Sequence, residues 1–349
     1  CNAFCSRNRR HDQSILNADS GIPDLEVLNF DRSGWGGRLV EHLGEDLNSV
    51  ELGNIVSTFN KGSSPGNRLE NVVHAQDMRN MALAAPDEGQ PTSRRNILAR
   101  ALRAYYAGRG PEVALEKPSD WPYHRFFQHS DALRAYGEAI QARIDACEPM
   151  PEQLANLVLS DEEFTQQSRN LFDVCQAHDA LNLGVLSMNY GGWDSHDNQA
   201  SEITSNLQDV FGAEGGLATA LSAIEELPYA ALPPARQLLF YFASDFGRQL
   251  VANGAAGTDH GSGTYSLLVG SSVSGGIYGE MFPHSETQPD LDGLVPLQTP
   301  GADIVGLTST ERITARAADW IQPGAGDAVF PGASSSSIEN GVDLDDLLA

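Results

Sequence analysis

The pattern that most constrains this chain lies between residues 181 and 269, where short apolar runs alternate with a helical repeat and open into polar loops. Leu183–Met188 is apolar and ends in NYGGWDSHDNQ. A helical stretch over about 200–226 follows, with Leu207, Val210, Leu217 and Leu221 on roughly one face. A Pro-rich turn then leads to the run Gln237–Ala243 and the loop SDFGR. The Gly-rich ANGAAGTDHGSG precedes a third run, Thr264–Val269. Strand, helix, strand is the order of a parallel sheet with crossover helices, and a continuously apolar strand such as LLFYFA fits a sheet covered on both faces. The expected fold is α/β, a three-layer α/β/α sandwich with 183–188 and 237–243 in one mainly parallel sheet.

The remaining segments are read around that core. The first ninety residues are rich in Gly, Ser and Asn and predict loops and short strands, Val50–Val56 among them. Helices are expected over Ser93–Ala107, Ser130–Cys147, Pro151–His178 with an interruption, and Thr310–Trp320. This gives one domain over 1–330, with a helical insert at about 91–178 and a core at about 181–321, followed by a Ser-rich acidic tail over 331–349.

Charge removes whole classes of function. Asp and Glu number 47 against 22 Lys and Arg, a formal charge of -25, and the lysines are Lys61 and Lys117 alone. Such a surface repels phosphate backbones and anionic lipid, which argues against nucleic acid and against docking on an anionic membrane. No run approaches the roughly 18 apolar residues of a transmembrane segment. Four cysteines, Cys1, Cys5, Cys147 and Cys175, allow two disulfides in an exported protein or four free thiols, and none forms a C-x-x-C pair for zinc. The opening CNAFCSRNRRHDQS is polar and lacks an initiator Met, so it reads as a processed or internal start with no signal peptide in view.

The chemistry sits in three loops. Residues i and i+2 of an extended segment point to one side, so Asp194 and His196 can converge on one point, as two metal ligands must. Asp245 stands at the carboxyl end of a strand, where sites form in open α/β sheets, and glycines around His260 allow a tight backbone path. Carboxylate and imidazole together suit a divalent metal, Zn or Mn, as one or two ions. Arg248 reads either as a receptor for a substrate anion or as a surface ion pair. Behind the imidazoles, Asp197, Asp259 or a backbone carbonyl would accept the free ring N–H. Taken singly, Asp194 also reads as a helix cap, Asp245 as a turn starter and His196 and His260 as surface histidines. His42, His74, His124, His129, His178 and His284 have no usable spacing.

GGWDSHDNQ at 191–199, ASDFGRQLVANG at 243–254, GTDHGSG at 257–263 and SSVSGGIYGE at 271–280 together resemble the bacterial domain-of-unknown-function family 1501. GWGGRL at 34–39 and HDQ at 11–13 resemble earlier landmarks of that family. The family is similar in plan to the alkaline phosphatase, sulfatase and cofactor-independent phosphoglycerate mutase superfamily. The resemblance implies an alkaline-phosphatase-like sandwich and an exported, periplasmic or secreted protein. It also implies one metal on Asp194, His196 and His260 and a second that includes Asp245. Three departures bear on this. Phe246 stands where the superfamily has a metal-binding His, and Asp194 and His196 are separated by a single residue where the mutases have a wider gap. The first strand with its Gly-Asn-Asp-Gly loop is absent, so the fold reads as incomplete at the N-terminus. The nucleophile region would fall around Ser6 to Ser14, and no nucleophile is assigned.

Two functions follow. One is a metal-dependent hydrolase or transferase acting on a small anionic phosphate or sulfate ester. The other is a non-catalytic exported binding or assembly protein that keeps the sandwich and at most one metal. Substrate and oligomeric state stay open.

Overall fold

The structure, a computed structural model, describes residues 1–4, 9–22, 27–44, 47–64, 68–81, 97, 101, 135–228, 238–280, 282, 288–289, 292–304, 306–330, 338–339 and 342–348. The chain divides into two compact units, one of Cys1–Gln76 with Met150–Ala349 and one of Asp77–Pro149. In the smaller unit, Asp77 caps a short 3-10 turn by accepting from the Arg79 N–H, and residues 135–145 are helical with Ile140 and Ile144 buried.

The larger unit runs β1 (Asn2–Phe4), α1 (His11–Ser20), α2 (Trp35–Leu43), β2 (Asn48–Glu51), β3 (Val72–His74), α3 (Glu152–Ala155), α4 (Glu162–Gln176) and α5 (His178–Leu181). It continues with β4 (Leu183–Ser187), α6 (Gln199–Phe211), α7 (Gly216–Glu225), β5 (Phe240–Phe242), β6 (Arg248–Ala252) and β7 (Thr258–His260). After these come β8 (Thr264–Tyr265), β9 (Leu267–Val269), β10 (Thr308–Ser309), α8 (Thr310–Ile321), α9 (Ala325–Val329), β11 (Ile338–Glu339) and β12 (Val342–Asp343).

The architecture is mixed α/β with small sheets. β3, β2 and β4 form a parallel sheet, with Val50 opposite both Val73 and Leu186. β1 lies between β10, parallel, and β8, antiparallel. β5 pairs antiparallel with β9, and β6 with β7. The expectation of 183–188 and 237–243 in one mainly parallel sheet therefore gives way, among the described residues, to two separate sheets. An antiparallel partner needs no crossover helix, and Phe240–Phe242 finds one in Leu267–Val269.

Asp161 caps α4 by accepting from the Phe164 N–H, and Glu162 and Glu163 in its first turn complement the helix dipole. Its Leu171, Phe172 and Cys175 pack with Leu217, Ala220 and Ile224 of α7, and Leu186 and Phe240 lean on this core. The helix expected over about 200–226 breaks between α6 and α7 at Gly212 and Gly215, where side chains would collide with the Gln208 carbonyl. Leu207, expected on the buried face, is exposed. Residues 338–339 and 342–343 pair, and Val342, Leu344 and Leu347 pack with Ala3, Leu268 and Ile313, so part of the tail belongs to the core. Of the insert expected over 91–178, α3, α4 and α5 belong to the larger unit; most of Ser93–Ala107 lies outside the described residues. Cys1, Cys147 and Cys175 are free thiols, with Cys175 pushed up to about 12 by burial; Cys5 lies outside the described residues. No helix of the described residues is long and apolar enough to cross a membrane.

Candidate metal centre

Four segments deliver side chains to one point. The loop after β4 carries Asp194 and His196 exposed and Ser195 buried between them, with the Ser195 N–H closing a tight turn onto the Trp193 carbonyl and a bend at His196. The β6–β7 hairpin carries Arg248 opposite His260. It also pins the loop, because Asp197 forms a β-bridge with Ala256 and the Gln199 N–H donates to the Ala256 carbonyl. The segment after β5 brings Asp245. The fourth contributor is His11, the first residue of α1.

Asp194 is the hub. Its Oδ1 lies 2.9 Å from His260 Nε2, 3.0 Å from His196 Nε2 and 2.5 Å from Arg248 Nη1, and its Oδ2 lies 3.2 Å from His11 Nε2. The ligand atoms of His11, Asp194 and His260 all fall within 4.8 Å of one another. His196 Nε2 is 3.0 Å from His260 Nε2. Burial opposes the charge on Asp194, but the Arg248 and His260 donors, with the His11 and His196 imidazoles beside them, outweigh it and hold the carboxyl down at about 2. Burial likewise opposes charge on His11, and the carboxylates of Asp245 and then Asp194 reverse the balance and raise its pKa.

The outer nitrogens decide what the inner ones can do. His11 Nδ1 faces Asp245 Oδ2 at 2.5 Å, His260 Nδ1 faces the Arg9 carbonyl at 2.9 Å, and His196 Nδ1 lies 3.4 Å from Asp259 Oδ1. A carbonyl or ionised carboxylate only accepts, so His11 Nδ1 and His260 Nδ1 each carry a proton outward, and the Nε2 protons that face the Asp194 carboxylate are the ones a cation would displace. Metal-binding imidazoles are oriented in this way.

The donor set fits a divalent ion. His11 Nε2 is buried and makes no hydrogen bond, only a 3.2 Å ion-pair contact with Asp194 Oδ2. Two imidazole Nε2 atoms 3.0 Å apart conflict unless one proton or one cation lies between them. Ligands of a tetrahedral zinc at about 2.0–2.1 Å stand about 3.3 Å apart, close to the separations here. Three nitrogens and a carboxylate suit zinc or manganese.

Asp194, His196 and His260 thus meet as the loop pattern suggests. Asp245 stands behind His11, with Oδ2 facing His11 Nδ1 and Oδ1 accepting from the Phe246 N–H. Phe246 packs its ring 4.4 Å from His260 and 4.6 Å from His11, closing the back of the cluster. Arg248 turns inward: Nη1 donates to Asp194, Nη2 to the Ser195 and Thr258 carbonyls, and Nε to Thr258 Oγ1. Sequence reasoning missed His11 as a ligand candidate, although it stands in the HDQ landmark. Ser14 is buried in α1, and Ser6 lies outside the described residues. His74 and His178 bond the backbone carbonyls of Gly53 and Cys175, while His124, His129 and His284 lie outside the described residues.

No curated protein and no solved structure matches the chain. A family model described as "Protein of unknown function (DUF1501)" matches residues 175–289, a span that holds Asp194, His196, Asp245, Arg248 and His260 but stops short of His11.

Proposed function

We propose that the cluster is a centre for a single divalent metal, zinc or manganese, held by His11, Asp194 and His260 with His196 at its exposed edge. We propose further that it serves hydrolysis or transfer of a small phosphate or sulfate ester. The observation that carries the reading is the set of three imidazoles, each with Nδ1 turned to an outer acceptor and Nε2 turned to Asp194. An ion bound there supplies a Lewis acid that polarises an ester oxygen and makes water a better nucleophile. Arg248 keeps Asp194 ionised and fixes the loop that bears it. His196, half-exposed and backed by Asp259, is placed to pass a proton between the cluster and solvent. A second ion at Asp245 is not part of the proposal, since both oxygens of that carboxylate are engaged.

The parallel order β3–β2–β4 between helices is consistent with the three-layer alkaline-phosphatase-like sandwich, and the resemblance of the loops supports an exported location. A second reading, a metal-holding binding or assembly protein without turnover, is supported by Phe246, whose ring packs on His11 and His260 where a further ligand would otherwise stand.

Elemental analysis of the purified chain, beside assays with aryl phosphates and aryl sulfates, tests these readings. The expected result is one equivalent of zinc or manganese, lost in His260→Ala and His11→Ala with the fold retained, and turnover that follows the metal. Metal without turnover selects the binding protein. Absence of metal from protein exposed to both ions sinks the proposal.

A further inference from the structure

We infer that Asp303 is a positioning residue for the candidate centre, clipping together the two segments that carry His11 and His260. This rests on the metal reading above. Asp303 Oδ2 accepts three hydrogen bonds: from Arg9 Nη2 at 2.6 Å, from the Ser262 N–H at 2.7 Å and from Ser262 Oγ at 2.7 Å. Ser262 stands two residues after His260, and Arg9 stands two residues before His11. One oxygen therefore joins chain segments that lie about 250 positions apart, as the Arg9–His260 hydrogen bond itself does at a separation of 251.

Arg9 is where the clip acts on the site. Its backbone is left-handed, with φ 56, a state that non-glycine residues hold only when their surroundings impose it. In that state its carbonyl faces His260 Nδ1 at 2.9 Å, and the chain turns directly into α1 with His11 at the first position. Among the described residues, the guanidinium anchored on Asp303 and the carbonyl held by His260 Nδ1 restrain this conformation. Asp303 itself has a built seat: its side chain is 15% exposed and packs against Gly261, where a Cβ would stand 2.7 Å from the Arg248 carbonyl carbon and 3.0 Å from the Asp303 Cβ. The ends of this arrangement are the outer hydrogen bond that orients His260 and the helix start that presents His11. Losing such orienting contacts costs metal sites about 10–100-fold in affinity.

The test measures zinc affinity of the whole chain by competition with a chromophoric chelator, and the visible spectrum of the cobalt-loaded protein, which reads ligand geometry at the ion. Asp303→Ala is expected to weaken zinc binding by about 10–100-fold and to alter the cobalt spectrum. Asp303→Asn, which keeps an acceptor for Ser262 but holds Arg9 less firmly, should fall between Ala and the parent. Asp319→Ala serves as the comparison. That carboxylate only caps the Gly324 and Gly326 N–H groups, so its loss should lower thermal stability and leave zinc affinity and spectrum unchanged. If Asp303→Ala does not fold, Arg9→Ala breaks the same clip from its exposed end and should give the same weakening. Parent-like affinity and spectrum in a folded Asp303→Ala or Arg9→Ala overturn the clip. Failure of the parent chain itself to bind zinc or cobalt overturns the metal reading instead.

Discussion

At the scale of single residues, the candidate centre depends on groups that never touch its focus. Asp245 is the clearest. It accepts from His11 Nδ1 at 2.5 Å and so aims the opposite ring nitrogen inward. Asp245→Ala should therefore weaken zinc binding by about 10–100-fold, less than the full loss expected of His11→Ala, as titration with a competing chelator will read. Asp19 is a different kind of residue. Burial pushes its carboxyl up to about 6, Glu51 adds to the rise, and backbone N–H donors from Phe59 and Thr58 only partly offset it. A carboxyl raised in the folded state lends stability that is fully present below its unfolded value of 3.8 and is lost as pH climbs through about 6. Asp19→Asn should therefore stabilise the chain by about 1–2 kcal/mol at neutral pH, discounting for partial exposure, and by far less under acid conditions. Urea unfolding of both proteins on either side of pH 6 checks it; an equal difference at both ends refutes it.

At the scale of elements, the β6–β7 hairpin and the loop after β4 work as one piece. Gly257 lets them close: a Cβ there would lie 2.2 Å from the His196 carbonyl carbon and oxygen, which are backbone and cannot swing aside. Gly257→Ala should cost about 1–3 kcal/mol of stability and move His196 away from Asp194. Thermal unfolding together with zinc titration would register both effects; an unchanged midpoint would mean the two segments are not held this tightly. The α4–α7 pair is the ordinary counterpart. Phe172 is fully buried there, and Phe172→Ala should cost about 3–5 kcal/mol by denaturant unfolding without changing the metal ligands.

For the whole molecule, the balance of 47 acidic against 22 basic residues sets the response to salt. Self-repulsion destabilises a compact acidic chain, and it reaches about 30 Å at 0.01 M salt but only about 8 Å at physiological ionic strength. The unfolding midpoint should rise as sodium chloride is added across that range, and a flat or falling midpoint would show that local ion pairs such as Arg9–Asp303 outweigh the global field. The same sequence also carried the pairing of Asp194 with His196, because two side chains one residue apart stay within reach of each other, although the backbone there turns at Asp194 and bends at His196 instead of running as a strand. It carried the place of Asp245 just beyond a strand and the close backbone approach at Gly257 and Gly261 on either side of His260, where only a residue without a side chain fits. It did not reveal His11. The buried face of α1 is made by Gln13, Ser14, Asn17 and Ser20 around a lone Leu16, so no apolar repeat marks the helix that presents the histidine. Nor could sequence order tell that Asp245 stands behind His11, or that Arg248 turns inward to Asp194. Those contacts close over separations of 234 and 54 residues, and periodicity speaks only of neighbours along the chain. Which loops meet is decided by the packing of the elements beneath them, and that exists only once the chain has folded.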